Sequence, residues 1–226
     1  MELTFLGRGA AFYPAFGNTN AFFLSGGDLF FLDFGESAFE KAVRLIDMRA
    51  PERIYVILTH LHADHAGSLA SLCSYTHCVL HREITVVHPV DTVKELLRLQ
   101  GISPTFYHYL PSLPADCPVQ AEPVEVAHAA DMRCFGYFLT DGEGTVYYSG
   151  DSGEFPARVA EALKQGRLQA VYHDTATHES ASHCYVGLLE KAVAPCDRSK
   201  VYCMHLDSDC ADDLTARGFR VVSVEA

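Results

Sequence analysis

Short apolar runs, each closed by glycine, proline or a polar cluster, set the rhythm of the chain. Glu2–Leu6, Ala21–Leu24 and Leu29–Asp33 read as strands. Their brevity and their aromatic content argue against helix, and the Gly26-Gly27-Asp28 turn between the last two predicts a meander. Arg53–Leu58 reads as a buried strand, because it is apolar without alternation. Further strands are expected at Cys78–Leu80, Val124–Ala127, Leu168–Tyr172, Lys200–Met204 and Phe219–Val224, with a hairpin pairing Cys134–Leu139 to Thr145–Ser149 across Asp141–Gly144. Between them lie helical stripes. Phe39, Val43, Leu45 and Ile46 mark a helix within Glu36–Met48, and others are expected at Gly67–Cys73, Asp91–Leu99, Phe155–Gln165, Ser182–Val193 and Asp209–Arg217. Ser103–Pro123 reads as irregular, with prolines at 104, 111, 114 and 118 around an aromatic cluster. Such a segment suits a substrate-covering loop or a dimer surface as well as plain packing. No fixed-period repeat, low-complexity tract or linker appears, so residues 1–226 read as a single α/β domain.

One loop stands apart. After the Arg53–Leu58 strand comes Thr59-His60-Leu61-His62-Ala63-Asp64-His65-Ala66-Gly67. Neutral imidazole and carboxylate are ligands for zinc, iron or manganese. The spacing of His60 and His62 suits an extended or turning loop; a helical pair would stand four residues apart. Asp64 and His65 are adjacent and can point to different places, so the loop allows two metal positions. A site at the C-terminal end of a central strand is where open α/β sheets place their chemistry. A structural zinc site would recruit cysteines in pairs, and the chain contains no Cys-x-x-Cys.

Composition narrows the picture. The chain is 49% apolar, enough for a full core, and carries a net charge of −12. That balance disfavours gripping long nucleic acid, which needs a basic face. The eight cysteines lack a secretory leader pattern before them and no long apolar run occurs, so free thiols in a reducing cytoplasm, away from any membrane, are expected.

The nonapeptide resembles the His-x-His-x-Asp-His signature of the metallo-β-lactamase superfamily. Asn18-Thr19-Asn20 and the strand-ending Asp33-x-Gly35 match its pattern too. In that reading Asp33 buttresses the metal loop; read from the residues alone it caps the following helix, with Gly35 relieving the backbone, and both roles can hold. The resemblance implies a four-layer αββα sandwich and three further ligands in fixed order. His128 follows a strand and precedes the Phe135-Gly136-Tyr137 strand; Asp151 ends the hairpin at Ser149-Gly150-Asp151; His205 ends a strand near the C-terminus. The implied set is His60, His62 and His128 at one metal, Asp64, His65 and His205 at the other, and Asp151 bridging. The implied cofactors are two divalent ions, zinc foremost, with Mn2+ or Fe2+ as alternatives. His62 stands where the diiron branch has Glu, which argues against electron transfer.

Within the superfamily the chain looks like ribonuclease Z and the small phosphodiesterases. His173-Asp174-Thr175-Ala176-Thr177 is similar to their His-Glu-Ala-Thr run, with Asp for Glu. His183 stands in for the histidine that serves the scissile phosphate, with His178 as its competitor. Asp64, His183 and Asp174 are therefore the candidate catalytic groups. The interval from His128 to Asp151 leaves no space for a tRNA-gripping arm. The expected function is hydrolysis of a small phosphodiester, a cyclic nucleotide or cyclic phosphate, by a metal-bridging hydroxide. Two divalent ions less Asp64, Asp151 and hydroxide leave a net positive pocket, suited to a small anionic substrate. A thioester or lactone hydrolase of the glyoxalase II or lactonase type uses the same core, and a non-catalytic metal sensor is the non-enzyme alternative. A homodimer is compatible with all three. The Gly67–Cys73 helix is expected to turn free N–H groups toward the metals and favour an anion there.

Overall fold

The computed structural model describes residues 1–224. Two six-stranded mixed sheets stack with helices outside, the four layers expected. The first sheet contains β1 (Thr4–Gly7), β2 (Asn20–Ser25), β3 (Asp28–Leu32), β4 (Ile54–Ile57), β5 (Ile84–Val87) and β6 (Tyr107–Leu110), in that spatial order. The second contains β7 (Gln120–Val126), β8 (Cys134–Thr140), β9 (Thr145–Tyr148), β10 (Ala170–Asp174), β11 (Val201–Met204) and β12 (Arg220–Val221). Each sheet opens with an antiparallel meander of three strands and continues in parallel. The topology is therefore duplicated although the sequence shows no repeat.

The core follows the layers. Phe5, Phe23, Phe30 and Tyr55 of the first sheet pack against Tyr137, Tyr148 and Met204 of the second. The far face of the first sheet packs on α1 (Ala38–Leu45), α3 (Leu69–Cys78) and α4 (Thr92–Leu99). The far face of the second packs on α5 (Ala157–Lys164), α6 (Val186–Ala192) and α7 (Ala211–Ala216). Strands β3 and β4 are buried along their whole length, which is why both lack polar alternation.

The structure corrects three readings. Cys78–Leu80 is not a strand, because α3 runs on to Cys78; the strand lies later, at β5. The segment Ser103–Pro123 is only partly irregular. It contains β6 and the start of β7, both edge strands, where proline is tolerated because one side needs no ladder bond. It also does not line the cavity described below. Finally, the expected Gly67–Cys73 helix starts later and runs longer, as α3 from Leu69 to Cys78, and a separate helical turn, α2 (Ala63–Ala66), precedes it. The N–H of Gly67 donates to Ala63 O and that of Ser68 to Phe34 O, so neither is free for an anion.

Parallel pairing sets the position of the site. β3 and β4 end side by side, which puts Asp33 beside Thr59. β9, β10 and β11 also run parallel, so Asp151, Asp174 and His205 emerge along one edge. β7 runs in the same direction as β9, since both are antiparallel to β8, and it delivers His128 there too. The two sheet edges are tied by Phe135 N–H donating to Thr59 O at 3.0 Å and by mutual backbone bonds of Arg8 and Ala10 with Leu206. Among the described residues no helix is long and apolar enough to cross a membrane.

Candidate metal centre

Asp33 is the hub beneath the histidine loop. It is fully buried and holds a left-handed φ of 61°, a conformation that costs an aspartate energy and recurs at functional sites. Its carboxylate accepts from Thr59 N–H at 2.7 Å, Thr59 Oγ1 at 2.9 Å and His65 Nδ1 at 2.8 Å. It therefore buttresses the loop and does not cap α1, whose N-cap residue is Ser37. Gly35 allows the same loop to close down: a Cβ there would lie 1.7 Å from the Asp64 carbonyl oxygen. The Asn18-Thr19-Asn20 run ties the neighbouring segments together. Asn18 Oδ1 accepts from Ser37 N–H, Asn20 Oδ1 from Gly35 N–H, and Thr19 Oγ1 from His205 N–H at 3.0 Å. His205 also has a left-handed φ, 55°, so Thr19 helps hold a strained ligand.

The seven expected ligands form two adjoining cages. His60, His62, His128 and Asp151 make one; Asp64, His65, Asp151 and His205 make the other. Within each, the ligand atoms lie within 4.8 Å of one another. Asp151 divides its oxygens between them. Oδ2 faces His128 Nε2 at 3.5 Å and His60 Nε2 at 3.9 Å, while Oδ1 faces His65 Nε2 at 3.1 Å and His205 Nε2 at 3.3 Å. The far nitrogens are occupied. His60 Nδ1 lies 3.0 Å from Thr59 Oγ1, His65 Nδ1 donates to Asp33, and His128 Nδ1 donates to Ser182 O at 2.8 Å. These bonds fix the tautomer and turn each Nε2 lone pair into the cage.

The donor chemistry fits divalent cations. His65 Nε2 and Asp151 Oδ1 are buried and without a hydrogen-bond partner. Orphaned atoms of this kind are rare unless something else satisfies them, and a cation would satisfy both. The electrostatics agree. Burial holds His60 well below the ordinary imidazole range, with the His65 charge adding to it; burial and His128 lower His62. Both are thus neutral, as ligands must be. Burial opposes charge on His65 and His205, but Asp151 overcomes it with help from Asp33 and Asp174 respectively, lifting His65 well up and His205 to about 10. Asp64 and Asp151 stay ionised in spite of burial, held low by His65 and His205. The carboxylates thus demand positive charge at this spot, and either protons or metal ions can supply it.

Asp174 and His183 sit beside the cages. The fully buried Asp174 accepts from His183 Nδ1 at 2.8 Å and from Ser152 N–H at 3.0 Å, and its other oxygen is 3.4 Å from His205 Nδ1. One carboxylate thus orients the candidate acid by a hydrogen bond and lies beside His205 without bonding it. Burial lowers the His183 pKa, but the bond to Asp174 outweighs it and the net shift is upward. The His183 side chain is 30% exposed and lines a cavity of about 450 Å3 over the ligands, with Ala10, Ala11, Phe12 and Glu36 on its wall. The competitor His178 points elsewhere: it is exposed and pairs with Asp207 at 2.8 Å. Two contributors escaped the sequence reading, Thr59 and Phe12. Thr59 begins the signature loop; Phe12 gives no sequence signal beyond an aromatic in a glycine-rich loop.

Solved structures share this architecture. YhfI of Bacillus subtilis superposes with a TM-score of 0.76 at 18% identity, over 97% of this chain and 94% of that one. The short form of human tRNase Z, ELAC1, gives 0.73 at 17%, over 100% and 97%. The chain has the metallo-β-lactamase fold. Within that fold, the family model "Anti-Pycsar protein Apyc1" matches residues 1–103. Curated relatives with the same name are more distant than close. That of Bacillus phage 010DV004 is 26% identical over 246 residues, 96% of this chain and 93% of the relative. That of Paenibacillus harenae is 23% identical over 196 residues, 79% and 78%.

Proposed function

We propose that this metallo-β-lactamase-fold protein is a metal-dependent hydrolase, and specifically a phosphodiesterase that opens a small cyclic nucleotide or cyclic phosphate. The carrying observation is the His183–Asp174 pair, set in the cavity with His183 Nδ1 at 4.0 Å from Asp151 Oδ2. His60, His62, His128 and Asp151 would hold one cation, and Asp64, His65, His205 and Asp151 a second. Bound there, divalent ions, zinc foremost, supply Lewis acidity and a water acidified toward neutral pH.

The chain's own residues do the rest. His183 gives its Nδ1–H to Asp174, which leaves Nε2 as the edge that serves substrate. The upward shift that Asp174 gives the ring favours its doubly protonated form, which can hand a proton to the departing oxygen. A sugar alkoxide needs that proton. A thiolate does not, because a thiol with a pKa of about 8.5 departs readily as the anion. The pair therefore favours a phosphodiester over a thioester. Small size is supported by the net charge of −12 and by the β8–β9 hairpin, which fills the interval between His128 and Asp151 without an added arm. The name of the relatives supports an anti-Pycsar role as the setting, and the unpaired cysteines a cytoplasmic one.

The test is a substrate panel with zinc- or manganese-loaded protein: 3′,5′-cyclic nucleotides, bis-p-nitrophenyl phosphate, a thioester and a lactone. The diesters should be cleaved with kcat/KM orders of magnitude above the other two. Efficient thioester or lactone turnover with intact diesters would reverse the assignment.

A further inference from the structure

Phe12 is 99% exposed, although it lies on the wall of the cavity above the ligand cages. A phenyl ring left wholly in water forgoes the stabilisation that burial would give it. The loop that carries it is nevertheless firmly built. Gly9 N–H donates to Gly17 O at 2.7 Å, Arg8 N–H to Phe16 O at 3.1 Å, and Thr19 Oγ1 to Gly9 O at 3.1 Å. Ala10 N–H donates to Leu206 O at 2.9 Å, and Leu206 N–H returns a bond to Arg8 O at 2.8 Å. Leu206 follows His205, so the backbone two residues before Phe12 is tied to the segment that carries a cage residue. The neighbouring aromatics are already partnered: Tyr13 meets Phe16 edge-on at 4.8 Å, and the Arg8 guanidinium covers Phe16 at 4.6 Å. Ala10 and Ala11 leave space beside the ring.

We propose that Phe12 is a specificity residue that stacks on the nucleobase of a bound nucleotide while its phosphate sits at the ligand cages. The proposal rests on the phosphodiesterase reading for the position of the phosphate. The cavity, about 450 Å3, is of a size for one small ligand. A phenyl face offers no hydrogen bonds, so it holds a base by area and π-contact and does not discriminate strongly among bases. The expected selectivity is for a diester that carries a base over one that does not, with tolerance as to which base.

The chain contains no tryptophan, so F12W introduces a single reporter at this position. Nucleoside 5′-monophosphate should quench its fluorescence, and ribose 5-phosphate at the same concentration should not. In parallel, F12A should lower the ratio of kcat/KM for a 3′,5′-cyclic nucleotide to that for the base-free ribose cyclic phosphate by about 10- to 100-fold, the range that loss of one stacked base gives. An unquenched F12W, or equal losses on the two substrates in F12A, would overturn the proposal while wild-type diester cleavage left the phosphodiesterase reading standing. Quenching by nucleotide in a protein whose wild type cleaves neither diester would keep the base contact and sink the phosphodiesterase reading.

Discussion

Replacing His183 with alanine separates proton donation from metal binding. His183 lies outside the two cages that would hold the cations, although it groups with Asp151, Asp174 and His205 within 4.8 Å at their margin, so H183A should retain the metal of both cages. A positioned general acid contributes about 10²- to 10⁴-fold, and that is the expected loss of kcat/KM on a 3′,5′-cyclic nucleotide. On bis-p-nitrophenyl phosphate the loss should be within about tenfold, because a nitrophenolate departs without a proton and forfeits little of that contribution. Stability should fall as well. Asp174 Oδ2 loses its 2.8 Å partner and keeps Ser152 N–H at 3.0 Å. Removing such a charge-assisted bond from a buried carboxylate costs about 1.5–3 kcal/mol, a Tm decrease of about 3–12 °C in a chain of this length. The pH profile adds a second readout. His183 must be protonated to act and its pKa is raised, so wild-type activity on the cyclic nucleotide should fall on the alkaline side, above the ordinary imidazole value of about 6.5. That limb should vanish in H183A. Equal losses on both substrates with the limb unchanged, or loss of metal from the variant, would refute the acid role.

Three other outcomes follow from the geometry. D33A leaves the Thr59 and His65 donors buried without their acceptor, so it should cost about 3–5 kcal/mol and weaken metal binding about 10- to 100-fold, read by thermal melts and zinc titration; wild-type affinity would contradict the hub role of Asp33. His205 is lifted to about 10, so in metal-free protein its contribution to stability is complete below about 6.5 and is lost as pH rises toward 10. The Tm of chelated protein should therefore decline over that window, and saturating zinc should flatten the curve; a chelated Tm that rises instead would contradict the sign. G35A places a methyl carbon against the Asp64 backbone, where no flexible side chain can yield, so the variant should lose metal or fail to fold, as seen by elemental analysis and circular dichroism.

The sequence disclosed the site more fully than the sheets around it. The histidine loop was legible because four ligand-type side chains follow an apolar run, and β8 and β9 because a glycine-rich turn separates two aromatic stretches. What stayed hidden lies at sheet edges and in short elements. The run Ile84–Val87 is too brief to carry a period, and the apolar Cys78–Leu80 drew the strand assignment although α3 ends there. Tyr107–Leu110 and Gln120–Val126 are edge strands among prolines, so the residues that usually break strands masked them. The use of Asp33 could be narrowed only to buttress or cap until pairing of β3 with β4 put it against Thr59. The hydrogen-bond pairing of His183 rather than His178 with Asp174 depends on a loop fold that no local pattern encodes. Phe12 was invisible for a simpler reason: its importance lies in what it fails to touch.

The central claim is that Asp151 joins two cation cages, and elemental analysis tests it most directly. Wild-type protein, loaded with zinc or manganese and dialysed, should retain an ion in each cage. D151A should lose metal from both, since each cage gives up an oxygen ligand. A wild type that holds no transition ion after loading, or a D151A variant that keeps its full complement, would contradict the account.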